Sequence, residues 1–254
     1  MLNLFVKFFT ALFQIKSSAK TMRQSLGILL FGLVFTTVKL TAQDINDFST
    51  WSVLEFEYEP DKKWELGLEA QLRLKENSST VDEYFAELKG SRELGKDFKF
   101  ELGLRYIREN DTRGNIQGFE NHFRWNLDGN YEYEIGRFDL QHRLRYTNKT
   151  EFGLAEEADK DFAGQRLRFK TSAVYKIKDW KLDPEFAAEL FSRFGQDTDS
   201  EVDKYRLTLG SAYGLKDAGE ISFYYRFESD FAKLDRESEH ILGIKYKYTL
   251  KNKK

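Results

Sequence analysis

Trp64-Glu-Leu-Gly-Leu-Glu-Ala-Gln-Leu-Arg-Leu-Lys75 alternates without a break. Trp64, Leu66, Leu68, Ala70, Leu72 and Leu74 are apolar, while Glu65, Gly67, Glu69, Gln71, Arg73 and Lys75 are not. Successive side chains of a strand point to opposite faces, so this stretch has one apolar face and one charged face. A helix would scatter the same apolar residues around its circumference, so the period of two selects a strand. The run is twelve residues long. That exceeds the ~5–6 of an ordinary globular strand and matches the ~9–11 that a tilted membrane-crossing strand needs.

Working outward, the same pattern recurs along the chain. On the N-terminal side, Ser52, Leu54, Phe56 and Tyr58 alternate with Val53, Glu55, Glu57 and Glu59, and Pro60-Asp-Lys-Lys63 reads as a tight turn. On the C-terminal side, similar runs fall at 82–91, 98–106, 123–131, 138–146, 163–177, 180–190, 204–209, 221–228 and 240–250. Pro184 lies within one of them and predicts a bulge or a short edge there. Eleven runs emerge, joined by alternating short turns and longer polar loops, the acidic segments 149–161 and 195–203 among the latter. Single-chain bacterial barrels usually have an even strand count, so ten to twelve is expected, with the polar lead Asp44 to Thr50 a candidate for a missed strand. Tyr58, Trp64, Tyr84, Phe98, Tyr106, Tyr146, Trp180 and Tyr205 lie near run ends, where two interfacial girdles would form. The expected fold class is therefore all-β: an antiparallel up-and-down transmembrane β-barrel. A soluble barrel or sandwich shares the alternation but would turn its apolar face inward.

Composition agrees with the barrel. The 254 residues include 16% aromatics, two prolines and no cysteine, and mean hydropathy is −0.61. A helical membrane protein needs apolar runs of ~20 residues; a barrel does not, because alternate residues face its lumen. Without cysteine there is no disulfide framework, thiolate metal site, thiol nucleophile or lipoprotein anchor. Residues 1–42 hold five basic side chains (Lys7, Lys16, Lys20, Arg23, Lys39) and no acid, leaving 35 basic against 42 acidic in 43–254. That balance gives nucleic-acid binding no support.

Met22-Arg-Gln-Ser, the apolar core Leu26 to Val38 and Leu40-Thr41-Ala42 form a signal peptide over 22–42, with cleavage before Gln43. Met22 then reads as the true start and residues 1–21 as an upstream extension, with a long bipartite signal the alternative. The barrel occupies 43–254. The signal, the start at Trp51 and Lys-Lys-Trp-Glu-Leu-Gly-Leu-Glu-Ala-Gln-Leu-Arg (62–73) together resemble a domain-of-unknown-function family of Bacteroidetes-type outer-membrane barrels. The resemblance spans 48–250. It implies a barrel in the bacterial outer membrane and supplies no catalytic residues.

Candidate chemistry is sparse. His142 invites comparison with outer-membrane phospholipases, but a serine two residues on is required and Leu144 stands there. His122 and His240 have no carboxylates at metal-ligand spacing. Asp197-Thr-Asp-Ser-Glu201 resembles part of a calcium loop without its sixth-position glycine, so a solvated loop is expected. No enzyme activity, metal or cofactor is expected.

The inward-facing charges say more. Glu55, Glu57, Glu65, Glu69, Glu83 and Glu87 come from the early runs; Arg124, Arg143, Arg145, Arg166, Arg168 and Lys170 come from the middle ones. If sequence neighbours are sheet neighbours, one wall is acidic and the other basic. A wide barrel would make this a transverse field across a pore for small polar solutes. In a narrow barrel the same residues would interlock as Arg–Glu pairs and plug it. A monomeric porin-like or narrow channel, with outer-membrane lipid around it, is the first expectation. A non-conducting interaction barrel is the second, and a lipid-modifying enzyme the third.

Overall fold

The structure, a computed structural model, describes residues 45–112, 117–152, 164–195, 198–216, 218–231 and 236–252. The signal peptide and the extension before it lie outside the described residues, as does Asp197 of the calcium-like segment. Eleven strands form a closed barrel: β1 (Ile45–Glu59), β2 (Trp64–Lys75), β3 (Thr80–Leu94), β4 (Phe98–Asp111), β5 (Gly118–Ile135), β6 (Phe138–Glu151), β7 (Gly164–Tyr175), β8 (Asp183–Gly195), β9 (Thr198–Leu215), β10 (Gly219–Asp230) and β11 (Glu237–Lys251). Among the described residues no helix is long and apolar enough to cross a membrane, which says nothing of crossing by strands.

Each strand pairs antiparallel with its sequence neighbour, and β1 closes the barrel against β11 in parallel, from Ile45↔Glu237 to Glu59↔Lys251. The fold is the expected all-β, up-and-down barrel, antiparallel at every pair of neighbours except this one. An odd number of alternating strands forces its first and last members to run the same way. Ile45 to Thr50, expected as a polar lead or a further strand, is the opening of β1, and the described residues form eleven strands. The odd count leaves Ile45 at the rim of the loop 76–79 and of the end of β4 at Asp111, and Lys251 at the rim of the turns 60–63, 95–97 and 136–137.

Local chemistry explains the turns. Gly95 and Gly136 take φ of 86° and 64°, conformations that a side chain disfavours. Between β2 and β3, Glu76, Asn77 and Ser78 all adopt positive φ, at roughly 1–2 kcal/mol of strain each. The Asp47 carboxylate accepts hydrogen bonds from the backbone N–H of Glu76 (2.8 Å) and Asn77 (2.9 Å), which offsets part of that strain. Two expected irregularities fall elsewhere. Pro184 is the second residue of β8, where a strand start tolerates it, and the register shifts lie at Phe191/Ser192 and Arg193/Gly195. Trp180 and Leu182 precede the strand, in a seven-residue connection over 176–182 that breaks the short-turn pattern. The acidic segment 195–203 is largely the start of β9 and not a loop.

The two faces of the sheet are sorted with apolar side chains outward and charged ones inward. Leu54, Leu66, Leu88, Phe186 and Phe223 point outward and are 51–62% exposed. Among the described residues the buried apolar side chains are only Trp51, Val53, Phe85, Ile107, Ala187, Phe191 and Ile241, too few for a hydrophobic core. Glu55, Glu87, Arg105, Asn126, Asp128, Arg145 and Glu189 are buried instead. Rings meet in two outer belts. Phe98–Tyr131 (5.8 Å) and Phe138–Tyr175 (4.9 Å) lie by the short turns; Tyr84–Phe119 (6.1 Å) and Tyr205–Phe231 (5.1 Å) lie by the other rim. On β4, Phe98 and Tyr106 are eight residues apart, or ~27 Å along a strand and ~21 Å along the axis at ~40° tilt.

Candidate functional site

The charged face is the one that carries chemistry, and closure turns it inward. Strand alternation places Glu55 and Glu57 of β1, Glu65 and Glu69 of β2, and Glu83 and Glu87 of β3 on that face. Arg124 of β5, Arg143 and Arg145 of β6, and Arg166, Arg168 and Lys170 of β7 share it. The two sets do sit on different walls. They are not an acidic wall facing a basic one, however, because each is laced with opposite charges that the sequence reading left out.

On the β1–β3 side, Lys89 reaches Glu69 at 2.8 Å and also binds Glu55, which Lys245 of β11 binds from the other side. Arg105 donates to Glu87 through Nε at 3.1 Å and lies 3.7 Å from Glu69. Arg73 holds Glu83 at 2.6 Å, Lys99 stands 3.6 Å from Glu65 and Lys247 stands 3.4 Å from Glu57. On the β5–β9 side, Arg145 donates through Nε to both oxygens of Asp128 at 2.7 and 2.8 Å, with Glu101 at 3.6 Å. Glu189 is shared by three guanidinium groups, those of Arg143 (2.8 Å), Arg168 (2.9 Å) and Arg206 (3.3 Å). Arg206 also donates to Glu228 at 2.6 Å through Nε, and Lys204 adds a 2.8 Å contact.

Inward rings fill part of the remaining space. Trp51 is 4% exposed, with the guanidinium carbons of Arg73, Arg226 and Arg206 at 3.8, 5.2 and 5.3 Å from its ring. Arg105 lies 3.4 Å over Phe85, Arg168 lies 4.6 Å over Phe191 and Arg226 lies 4.0 Å over Tyr224. Such stacking leaves guanidinium edges free to donate. These rings share the odd positions of Glu55, Glu83, Glu87 and Glu189, or on β10 the even positions of Arg226 and Glu228, a break in the apolar-outward rule that was legible. Two glycines make room. A Cβ on Gly103 would lie 2.5 Å from Asn126 Nδ2 and 2.7 Å from Glu87 Oε1, and one on Gly243 would collide with the Tyr224 ring.

Within this network lies a cavity of about 450 Å³. Nine arginines and four lysines line it against five glutamates and one aspartate. Of the twelve charges singled out in sequence, Glu69, Glu87, Arg124, Arg143, Arg145, Arg166, Arg168 and Lys170 border it; Glu55, Glu57, Glu65 and Glu83 do not. A second cavity of about 540 Å³ opens by the short turns, among Lys96, Asp97, Glu132 and Asp139, and Gln141 lines both. Toward the other rim Ser49, Glu83, His122, Thr147 and Ser229 are buried.

The histidines take other roles. His142 faces outward, its Nδ1 3.0 Å from Thr171 Oγ1 and its Nε2 3.2 Å from Tyr133 Oη, so the hydroxyl beside it comes from the next strand and not from position 144. His240 is likewise capped by Tyr225 Oη at 2.6 Å. His122 faces inward, 3.5 Å from both Glu109 and Glu120. Among the described residues no group of three or more His, Asp or Glu side chains is arranged to hold a metal ion.

No curated protein and no solved structure matches this chain. A family model described as "Protein of unknown function (DUF2490)" matches residues 48–237, from the opening of β1 to the first residue of β11. An eleven-stranded closed barrel with a charged interior is thus the form this sequence takes, and the chain belongs to the DUF2490 family.

Proposed function

We propose that the protein is a monomeric barrel of a bacterial outer membrane that gives small polar solutes a narrow, charge-lined passage. The observation that carries this reading is the inversion of the faces: apolar side chains outside, ion pairs and a polar cavity inside. Water would solvate that outer surface poorly, whereas hydrocarbon would not, and the aromatic belts sit where headgroups would. Strands of 12 to 18 residues exceed the ~9–11 that a bilayer crossing requires, so their ends would stand clear of it. The cavity by the short turns, which shares Gln141 with the central one, supports entry from that rim.

A second reading, a non-conducting barrel that presents its rims to partners, is favoured by the near-complete burial of Glu87, Asn126 and Asp128 (2% exposed or less). One experiment separates the two. The protein is folded in detergent, run on a denaturing gel with and without boiling, and recorded in a planar bilayer. A heat-dependent mobility shift with discrete conductance steps is expected. A shift without conductance favours the plugged barrel, and a chain that stays soluble without detergent overturns the membrane assignment.

A further inference from the structure

Thirteen cations line the central cavity against six carboxylates, and Glu55, Glu65, Glu83 and Glu185 just outside its wall pair with Lys89, Lys245, Lys99, Arg73 and Lys170, which leaves an excess of three positive charges. The excess is concentrated at particular side chains. Arg124 pairs with no carboxylate among the described residues, and its Nε is buried without a hydrogen-bond partner. Its strongest charged neighbours are Arg105, Glu87, Arg145 and Arg168, three cations to one anion, and the Glu87 carboxylate is already engaged by Arg105. Arg226 stacks on the rings of Trp51 and Tyr224, makes no ion pair within 4 Å among the described residues, and its Nε is also buried and unpartnered. Arg143 leaves its Nε unpaired because Glu189 is divided among three guanidinium groups. In the sheet itself, Arg105 stands directly opposite Arg124, Arg145 opposite Arg168 and Arg143 opposite Lys170. Like charges directly opposite one another are destabilising, and a buried unpaired cation is costly.

We infer that the cavity is a binding site for a small soluble oxyanion of more than one charge, of the phosphate or sulfate class, held by Arg124 with Arg143, Arg168 and Arg226. A planar guanidinium offers two parallel N–H donors that match two oxygens of such an anion, so an arginine-rich wall selects oxyanions over chloride. The volume of about 450 Å³ falls within the ~300–1,000 Å³ of small-ligand sites. It is many times the ~30 Å³ share of one water, so the anion would enter with part of its shell. The cavity is walled from the outer apolar face by the strands, which favours a dissolved anion over a lipid headgroup. This inference deepens the passage reading by naming its solute class, and binding is measurable whether or not the barrel conducts.

The test is calorimetric titration of the detergent-folded protein with inorganic phosphate at low chloride, with sodium chloride as the control titrant. Arg124→Gln, Arg226→Gln, Arg124→Lys and Lys62→Gln are compared with the parent, each checked by the heat-dependent gel shift. Saturable phosphate binding is expected, weakened at least tenfold by Arg124→Gln, less by Arg226→Gln and partly restored by Arg124→Lys. Lys62, exposed in the β1–β2 turn, should be neutral. Phosphate heats no different from those of chloride, or equal affinity in Arg124→Gln and the parent, would overturn the proposal. Should Arg124→Gln fail to fold, Arg226→Gln decides by the same criterion. Phosphate binding without bilayer conductance would sustain the anion site and defeat the passage; conductance with no phosphate binding would do the reverse.

Discussion

Glu189 shows at single-residue scale how the interior is held. One carboxylate, 5% exposed, balances Arg143, Arg168 and Arg206. Burying charges is unfavourable unless each is paired, and removing one partner strands the others. Glu189→Gln keeps the shape but leaves three guanidinium groups without their shared anion. It is expected to lower stability by ~3–5 kcal/mol, read as a reduced midpoint for the heat-dependent gel shift. Arg124, which has no carboxylate to strand, should show no such loss on neutralisation. The inward parity of Glu189 was legible, but the convergence of three arginines on it was not. Arg143 and Glu189 are two strands apart, and only the relative register of β6, β7 and β8 sets their distance.

Among the elements, the β1–β11 seam is the distinctive one. Parallel pairing is slightly less stable per residue than antiparallel pairing, so this seam needs a reason to close. Charge complementarity offers one: Lys245 binds Glu55, Lys247 lies 3.4 Å from Glu57 and Lys251 lies 3.0 Å from Glu59. The outermost pair is largely exposed and contributes little, while the Glu55 pair is buried on its acidic side. Replacing Glu55, Glu57 and Glu59 together with lysine should prevent the compact unboiled band from forming. Adding the reciprocal change of Lys245, Lys247 and Lys251 to glutamate should restore it in part. Full folding of the first triple variant would show that backbone pairing alone closes the barrel. The alternating acids of β1 and lysines of β11 are plain in the sequence, but nothing local says that strands 192 residues apart meet.

For the whole molecule, the odd strand count sets polarity, because the two ends of the sheet's chain lie at opposite rims. If the short turns face the periplasm, as is usual for outer-membrane barrels, Asn77 of the β2–β3 loop faces outward and Lys62 faces inward. The native chain has no cysteine, so single substitutions are clean reporters. Asn77→Cys in intact cells should react with a membrane-impermeant maleimide, and Lys62→Cys should react only after lysis. The opposite pattern would invert the orientation, and equal labelling of both would argue against a barrel that spans the membrane.

What the sequence determined by itself was whatever depends on neighbours along the chain. The period of two defined the strands and their two faces, glycines such as Gly95 and Gly136 marked turns, and the strand count fell within the expected range. The tertiary structure alone decided the parallel seam, the start of β8 after Trp180 and the strand that replaces the acidic segment 195–203. It also decided which charges are neutralised and which are left over. Strand order alone implies an acidic wall facing a basic one, which the structure does not have because Lys89, Arg105, Asp128 and Glu189 interleave the two sets. Pairing of Lys89 with Glu55 across β2, and of Arg143 with Glu189 across β7, depends on register and closure summed over several strands. Alternation is a local property of the backbone; charge balance around a cavity is a property of the closed barrel.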